Sequence, residues 1–157
     1  MNSNLTFNEL KRKWASAIAP SNLPQDVAIR LLSAAFEARG RAYAPYSSFK
    51  VGAAVLTEDG KTFSGSNIEN ASYGATMCAE RVAIFKAISS GHKTIKAVSV
   101  VADYPTPIPP CGICRQVAIE FGKKAVVLMS NTVGEIKIEK LDRLLPSAFE
   151  FSKTDEE

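Results

Sequence analysis

The chain is poor in the residues that anchor disulfide and metal frameworks. Its 157 residues include three cysteines, one histidine and one tryptophan. An odd cysteine count cannot pair completely within one chain, and so few cysteines exclude a disulfide-stapled scaffold. A closed structural zinc site wants four strong ligands; there is no fourth cysteine, and the single histidine, His92, sits far from the cysteines and reads as an ordinary surface residue. Long apolar runs are missing too. No stretch reaches the length of a membrane span, and "MNSNLTFNELKRKWA" lacks the uninterrupted apolar segment of a signal peptide. The expectation is a cytoplasmic chain with no membrane partner. Nor is there a large excess of one charge: 19 Lys and Arg against 16 Asp and Glu leave +3. That balance, with no basic, aromatic-rich groove, argues against a nucleic-acid partner. Lys11, Arg12 and Lys13 read as a solvated helix face.

What is present is a 46% hydrophobic content, enough to build one sizeable core, and the expectation is one domain over residues 1–157. A first helix is predicted over "FNELKRKWASAI", ending at "APSNLP". A second runs through "QDVAIRLLSAAFEARGRAYA", with Pro24 in its first turn and Val27, Leu31, Ala34 and Ala35 on one face. "FKVGAAVLT" reads as a buried strand that turns through "EDGK" into "TFSGSN". A helix from about Thr76 to Ser90 closes at Gly91, and "IKAVSVVAD" follows as a strand covered on both faces. A proline-rich loop, "YPTPIPP", leads into a helix over "CGICRQVAIEFG", then into strands at "KAVVLMS" and "EIKIEK". This alternation predicts a three-layer α/β/α sandwich with a central mixed five-stranded sheet. The "SKTDEE" tail, 152–157, reads as disordered.

The cysteines need an explanation. Cys111 and Cys114 form a C-x-x-C at a helix start, three apart on one helical face, and Cys78 enters another helix in the same way. Helix N-termini carry free N–H groups and the positive end of the macrodipole, which favour thiolate and prepare sulfur for metal binding or for nucleophilic work. A C-x-x-C alone also fits a thioredoxin-like dithiol, but that leaves Cys78 idle. Three thiolates without a fourth ligand leave one coordination position for water, the arrangement of a catalytic zinc. Glu80, two residues beyond Cys78, can then take the water's proton, provided Cys78 belongs to the loop or the first turn. Three thiolates over-neutralise a divalent ion, and Arg81 is suited to donate hydrogen bonds to ligand sulfur.

"CAER" followed by "PCGICRQ" resembles the C/H-A-E and P-C-x-x-C signature of zinc-dependent nucleoside and nucleobase deaminases. With "YAPYSSFKVGAAV", "GSNIENASY" and "LLPSAF", in order and at suitable spacing over roughly residues 26–149, the chain is similar to the small tetrameric cytidine deaminases. The resemblance implies a cytidine deaminase-like fold that binds one zinc per subunit through Cys78, Cys111 and Cys114. It implies hydrolysis of cytidine and 2'-deoxycytidine to uridine and 2'-deoxyuridine with release of ammonia, by a zinc-bound hydroxide with Glu80 as proton shuttle, in pyrimidine salvage. It further implies Phe49 as the aromatic packing the base, Asn67 and Glu69 as ribose contacts, and the Ala79 backbone against the pyrimidine. Phe149 becomes an aromatic lent to a neighbouring active site in a homotetramer. Two departures stand out: residues 1–25 form a helical extension beyond the family core, and Pro109 stands where the family often has serine. The rival readings are a deaminase of another cytosine nucleoside, such as blasticidin S, and a non-catalytic zinc or thiol-redox protein. The "NIEN" block favours cytidine.

Overall fold

The computed structural model describes residues 5–151; the tail expected to be disordered, 152–157, lies outside the described residues. Helix α1 (Phe7–Ala17) starts at a capping box, in which the Thr6 hydroxyl accepts from the Glu9 amide and the Glu9 carboxylate accepts from the Thr6 amide. A single 3₁₀ turn, Ala19–Ser21, with Pro20 inside it, leads to α2 (Gln25–Arg39). Pro24 is the residue before that helix rather than one of its first turn. Helix α2 buries Ala28, Leu31, Leu32, Ala35 and Ala38. The buried stripe is thus rotated from the expected one, and Val27 and Ala34 pack only at its margin.

Helix α2 also stops five residues before the expected end. The backbone of Tyr43 is taken by the chain near residue 68: its N–H donates to the Asn67 carbonyl and its carbonyl accepts from the Glu69 amide. A helical Tyr43 could not make both bonds.

Five strands form one mixed sheet in the order β2-β1-β3-β4-β5. They are β1 (Val51–Thr57), β2 (Thr62–Ser66), β3 (Ile95–Ala102), β4 (Val126–Asn131) and β5 (Ile136–Lys140). The pairs β1/β2, β1/β3 and β4/β5 are antiparallel, and β3/β4 is parallel. That parallel pair is joined by a crossover helix, α4 (Gly112–Gly122), as parallel neighbours require. Helix α3 (Ala79–Ser89) lies between β2 and β3, and a short α5 (Leu141–Leu144), absent from the sequence reading, follows β5.

Strand alternation divides the core into two. Ala53 and Val55 of β1, Val98 and Val100 of β3, and Val127 and Met129 of β4 face α3 and α4. Ala54, Leu56, Ala97, Val101, Val126 and Leu128 face α1 and α2. The architecture is therefore the expected three-layer α/β/α sandwich. Helix α2 lies so close to β1 that a Cβ on Gly52 would stand 2.0 Å from the Ala35 carbonyl oxygen, so only glycine fits that crossing. No helix of the described residues is long and apolar enough to cross a membrane.

Trp14 ties the N-terminal helix to this framework. It is 0% exposed, packs edge-on to Phe7 and Phe36, and its indole N–H donates to the Ser130 hydroxyl at 2.8 Å. Truncation to alanine removes a large buried ring and leaves a cavity that rigid strands cannot close. Trp14→Ala is expected to cost about 3–5 kcal/mol, read as a lower urea midpoint with an unchanged slope.

Candidate active site

The site is assembled where α3 and α4 begin, on the same face of the sheet. Helix α3 was expected from Thr76, but Met77 is instead held in a two-way backbone bridge with Ile68. The helix therefore starts at Ala79, and Cys78 is its N-cap in extended conformation. Cys111 is likewise the extended N-cap of α4, and Cys114 lies in that helix's first turn, buried. Neither N-cap cysteine bonds its own helix amides, so both side chains are free to turn toward each other.

The sulfurs of Cys78 and Cys111 are 3.9 Å apart, those of Cys111 and Cys114 3.4 Å, and all three lie within 4.8 Å of one another. Three sulfurs each about 2.3 Å from a tetrahedral zinc would be separated by about 3.8 Å, so the donor set fits that ion. No fourth His, Cys, Asp or Glu joins the group among the described residues. His92 stands apart: its Nδ1 is 3.0 Å from Asp59 and its ring packs on Phe63, with the side chain 23% exposed. It is a half-covered tie between the β1–β2 turn and the end of α3, not the plain surface residue expected.

Crowding shifts the thiols apart. Cys78 is drawn down to about 5, first by the hydrogen bond from Cys114 and then by Arg81, while Cys114 is pushed up because Cys78 accepts its proton and burial disfavours its charge. The Arg81 guanidinium donates to the Cys78 sulfur at 3.6 Å and to the Thr76 carbonyl at 3.3 Å. The Cys78 thiolate in turn holds Arg81 charged.

Glu80, in the first turn of α3, is 6% exposed. Burial, with the neighbouring Cys78 charge adding to it, raises its carboxyl to about 7, overcoming the backbone hydrogen bond that acts the other way. It opens onto a cleft of about 210 Å³ lined by Phe49, Val51, Asn67, Thr76, Met77, Cys78, Ala79, Ile108, Pro109 and Cys111. Such a carboxyl can take and return a proton near neutral pH.

Phe49 reaches the cleft because β1 begins only at Val51; Ser48 is left-handed (φ 57°), and the Phe49 ring meets Tyr104 edge-on at 6.3 Å. Asn67 and Glu69 lie just past the end of β2, on either side of the Ile68 bridge, and both reach the 46–51 segment. The Asn67 amide donates to the Phe49 carbonyl and its oxygen accepts from the Val51 amide, both at 2.8 Å. The Glu69 carboxylate accepts from the Ser47 hydroxyl and from the amides of Tyr46 and Ser47, which keep it below the usual carboxylate range. Glu69 faces a second cavity, of about 370 Å³, with Tyr46, Ser47, Tyr73 and Thr76. Thr76 borders both spaces.

Phe149 is not among the residues lining the cleft of its own chain. It is 65% exposed, packed edge-on to Phe151, with its carbonyl held by Gln116. Sequence reasoning missed Met77, Ile108 and Pro109 as cleft walls. The one available signal was the stiff proline run immediately before Cys111.

A family model described as "Cytidine and deoxycytidylate deaminase zinc-binding region" matches residues 26–130. The chain is 51% identical to a cytidine deaminase of Halalkalibacterium halodurans over 120 residues, 76% of this chain and 91% of that one. It is 49% identical to a cytidine deaminase of Sporosarcina psychrophila over 121 residues, 76% of this chain and 89% of the relative. The crystal structure of cytidine deaminase from Burkholderia pseudomallei matches with a TM-score of 0.74 at 50% identity, covering 76% of this chain and 97% of that one. With its zinc-binding region, its five-stranded mixed sheet and these relatives in agreement, the chain belongs to the cytidine and deoxycytidylate deaminase family, whose metal is zinc.

Proposed function

We propose that the protein hydrolyses cytidine and 2'-deoxycytidine to the corresponding uracil nucleosides and ammonia, with Cys78, Cys111 and Cys114 as zinc ligands. The observation that carries this reading is the buried Glu80 carboxyl beside three converging sulfurs, with Glu80, Cys78 and Cys111 lining one cleft. Zinc bound there supplies Lewis acidity and makes water acidic enough to ionise near neutral pH.

Glu80 accepts the first proton from the attacking water and delivers it to N3 of the pyrimidine, which makes C4 electrophilic as the C4–O bond forms. It then carries the remaining proton of that oxygen to the exocyclic amine. The C4–N4 bond breaks, ammonia leaves and the C4 carbonyl remains. Burial, which disfavours the charged form of Glu80, helps the carboxyl hold a proton between the two transfers. Arg81 offsets the charge of the three thiolates through its bond to Cys78. Phe49 packs the base, the Ala79 backbone borders it, and Asn67 and Glu69 face the sugar.

Within a family that takes both nucleosides and nucleotides, the second cavity favours the nucleoside. Its lining includes the Glu69 carboxylate and, among the described residues, no lysine or arginine, so sugar hydroxyls are accepted there and a phosphate dianion is repelled. The exposed Phe149 supports an assembly, a homotetramer, in which this ring enters a neighbouring copy's cleft. The protein acts in the cytoplasm on free nucleosides.

Ultraviolet assay of purified protein should show cytidine loss that stops on prolonged chelation and returns with zinc. Cytidine 5'-monophosphate should be turned over with a kcat/KM lower by about a hundredfold or more, since like charges in a site cost several kcal/mol. Glu80→Gln should lower kcat by at least roughly 10²- to 10⁴-fold while zinc content stays at one per chain. Zinc-loaded protein that leaves every cytosine nucleoside unchanged would overturn the proposal.

Glu80 also makes a pH-dependent stability prediction for the zinc-free protein. Its folded value, about 7, lies above the ordinary 4.5, so between these values the folded state holds a proton that the unfolded state has lost. Stability from this group is complete below 4.5 and falls as pH rises through 7. Glu80→Gln removes the effect. Denaturation of both proteins between pH 4 and 8 should show the variant gaining on the wild type by about 3 kcal/mol, with no further gain above pH 8.

A further inference from the structure

The wall of the cleft that carries Cys111 is a loop with few amides of its own. Residues 103–110 contain four prolines, at 105, 107, 109 and 110, and so have little capacity to anchor themselves by donating hydrogen bonds. Side chains hold the loop at both ends instead. At the far end, the Asn131 amide donates to the Pro105 carbonyl at 3.1 Å. At the near end, Arg115 Nε donates to the Pro110 carbonyl at 2.7 Å, while one of its terminal nitrogens donates to the Leu144 carbonyl at 2.8 Å.

The Pro110 carbonyl needs this partner. Pro110 is buried, and no backbone amide of the described residues bonds its oxygen. It lies one residue outside the N-cap, where helix amides cannot reach it. The Leu144 oxygen, on a half-buried residue at the end of the short α5, accepts no backbone amide among the described residues, so the second arm of the guanidinium has an open acceptor there. A buried carbonyl left unpaired is costly. Side chains on a helix lean toward its N-terminus, so a residue one turn into α4 can reach back over Cys111 to the residue before it. Only a planar fork with donors on two separate nitrogens spans both oxygens; a lysine ammonium would satisfy one.

We infer that Arg115 is a positioning residue for the metal site: a two-point clamp that fixes the Pro110 carbonyl, and with it the Cys111 sulfur, against the C-terminal turn at Leu144. The next residue, Gln116, donates to the Phe149 carbonyl and makes no hydrogen bond to the proline loop among the described residues. Arg115 thus governs the ligand, whereas Gln116 governs the exposed C-terminal aromatic. This inference rests on the reading of the three cysteines as zinc ligands.

The test uses zinc-loaded full-length protein challenged with excess chelator, with zinc release followed by a metal indicator at a temperature where circular dichroism is native. Arg115→Met should release zinc roughly 10–100-fold faster than the wild type, the scale on which partners of metal ligands act. Arg115→Lys, which keeps the charge and one donor group, should fall between the two and carries the test alone if the methionine variant does not fold. Gln116→Leu should release zinc at the wild-type rate. Wild-type release rates in the Arg115 variants, or equal acceleration by Gln116→Leu, would overturn the clamp. A wild-type protein that takes up no zinc would instead overturn the ligand reading beneath it.

Discussion

The structure depends on two helix N-termini meeting at one point with sulfur in place of the usual caps. An N-cap is normally Ser, Thr, Asp or Asn, whose oxygen bonds a first-turn amide and is worth about 1 kcal/mol. Cys78 and Cys111 occupy that position with the usual extended backbone and make no such bond. Local helix stability is given up at both helices so that the side chains converge. The consequence without an ion is electrostatic crowding, relieved when one sulfur is a thiolate and a neighbour keeps its proton. A divalent ion displaces that proton and resolves the crowding, which is why metal binding at such a site is coupled to proton release.

Convergence of this kind requires helices that sit deep on the sheet. Helix α3 presents Ala79, Ala83 and Ala87 inward, and the strand beneath it offers Gly65, where a Cβ would come within 2.6 Å of the Ala83 nitrogen. Small residues on both sides let the helix settle onto β1 and β2, and this depth buries Glu80 while leaving Cys78 at the cleft. The raised Glu80 carboxyl is therefore a product of packing: the alanines that draw the helix inward also remove water from the acid two positions beyond Cys78.

The sequence carried the parts of this site that are local. Cysteine spacing, the acid after Cys78 and the two helix starts are legible in runs of a few residues, and the strands β1, β3 and β4 declare themselves by apolar content. What it did not reveal is set by contacts between distant segments. The early end of α2 and the late start of α3 both come from the bridges of Tyr43 and Met77 to Ile68, 25 and 9 residues apart, which no helical periodicity registers. The pairing of Phe49 with Tyr104, the role of Arg115 toward Pro110 and the tie of His92 to Asp59 have the same origin. Phe49, Asn67 and Glu69 were identified as a set by resemblance alone. The structure adds a physical reason for their association, because Asn67 and Glu69 hold the backbone of the segment that presents Phe49.

The N-terminal extension meets the same sheet from the other side. Trp14 bonds Ser130, and the next residue of β4, Asn131, turns its side chain to the proline loop and to the β4–β5 turn. Consecutive strand residues point to opposite faces, so a single dipeptide anchors both the extension and the loop that leads to Cys111. Residues 1–25 lie outside the family-model match, whereas the loop and the cysteines lie inside it. The extension therefore adds apolar burial to the face remote from the sulfurs, where it stabilises the sheet without entering the cleft. Because β4 is hydrogen-bonded to strands on both sides, that burial stiffens the strand from which the loop is hung. An addition to the chain on the face that carries the three sulfurs would have had to displace α3 or α4; on the opposite face it can accumulate with the geometry of the cleft left intact.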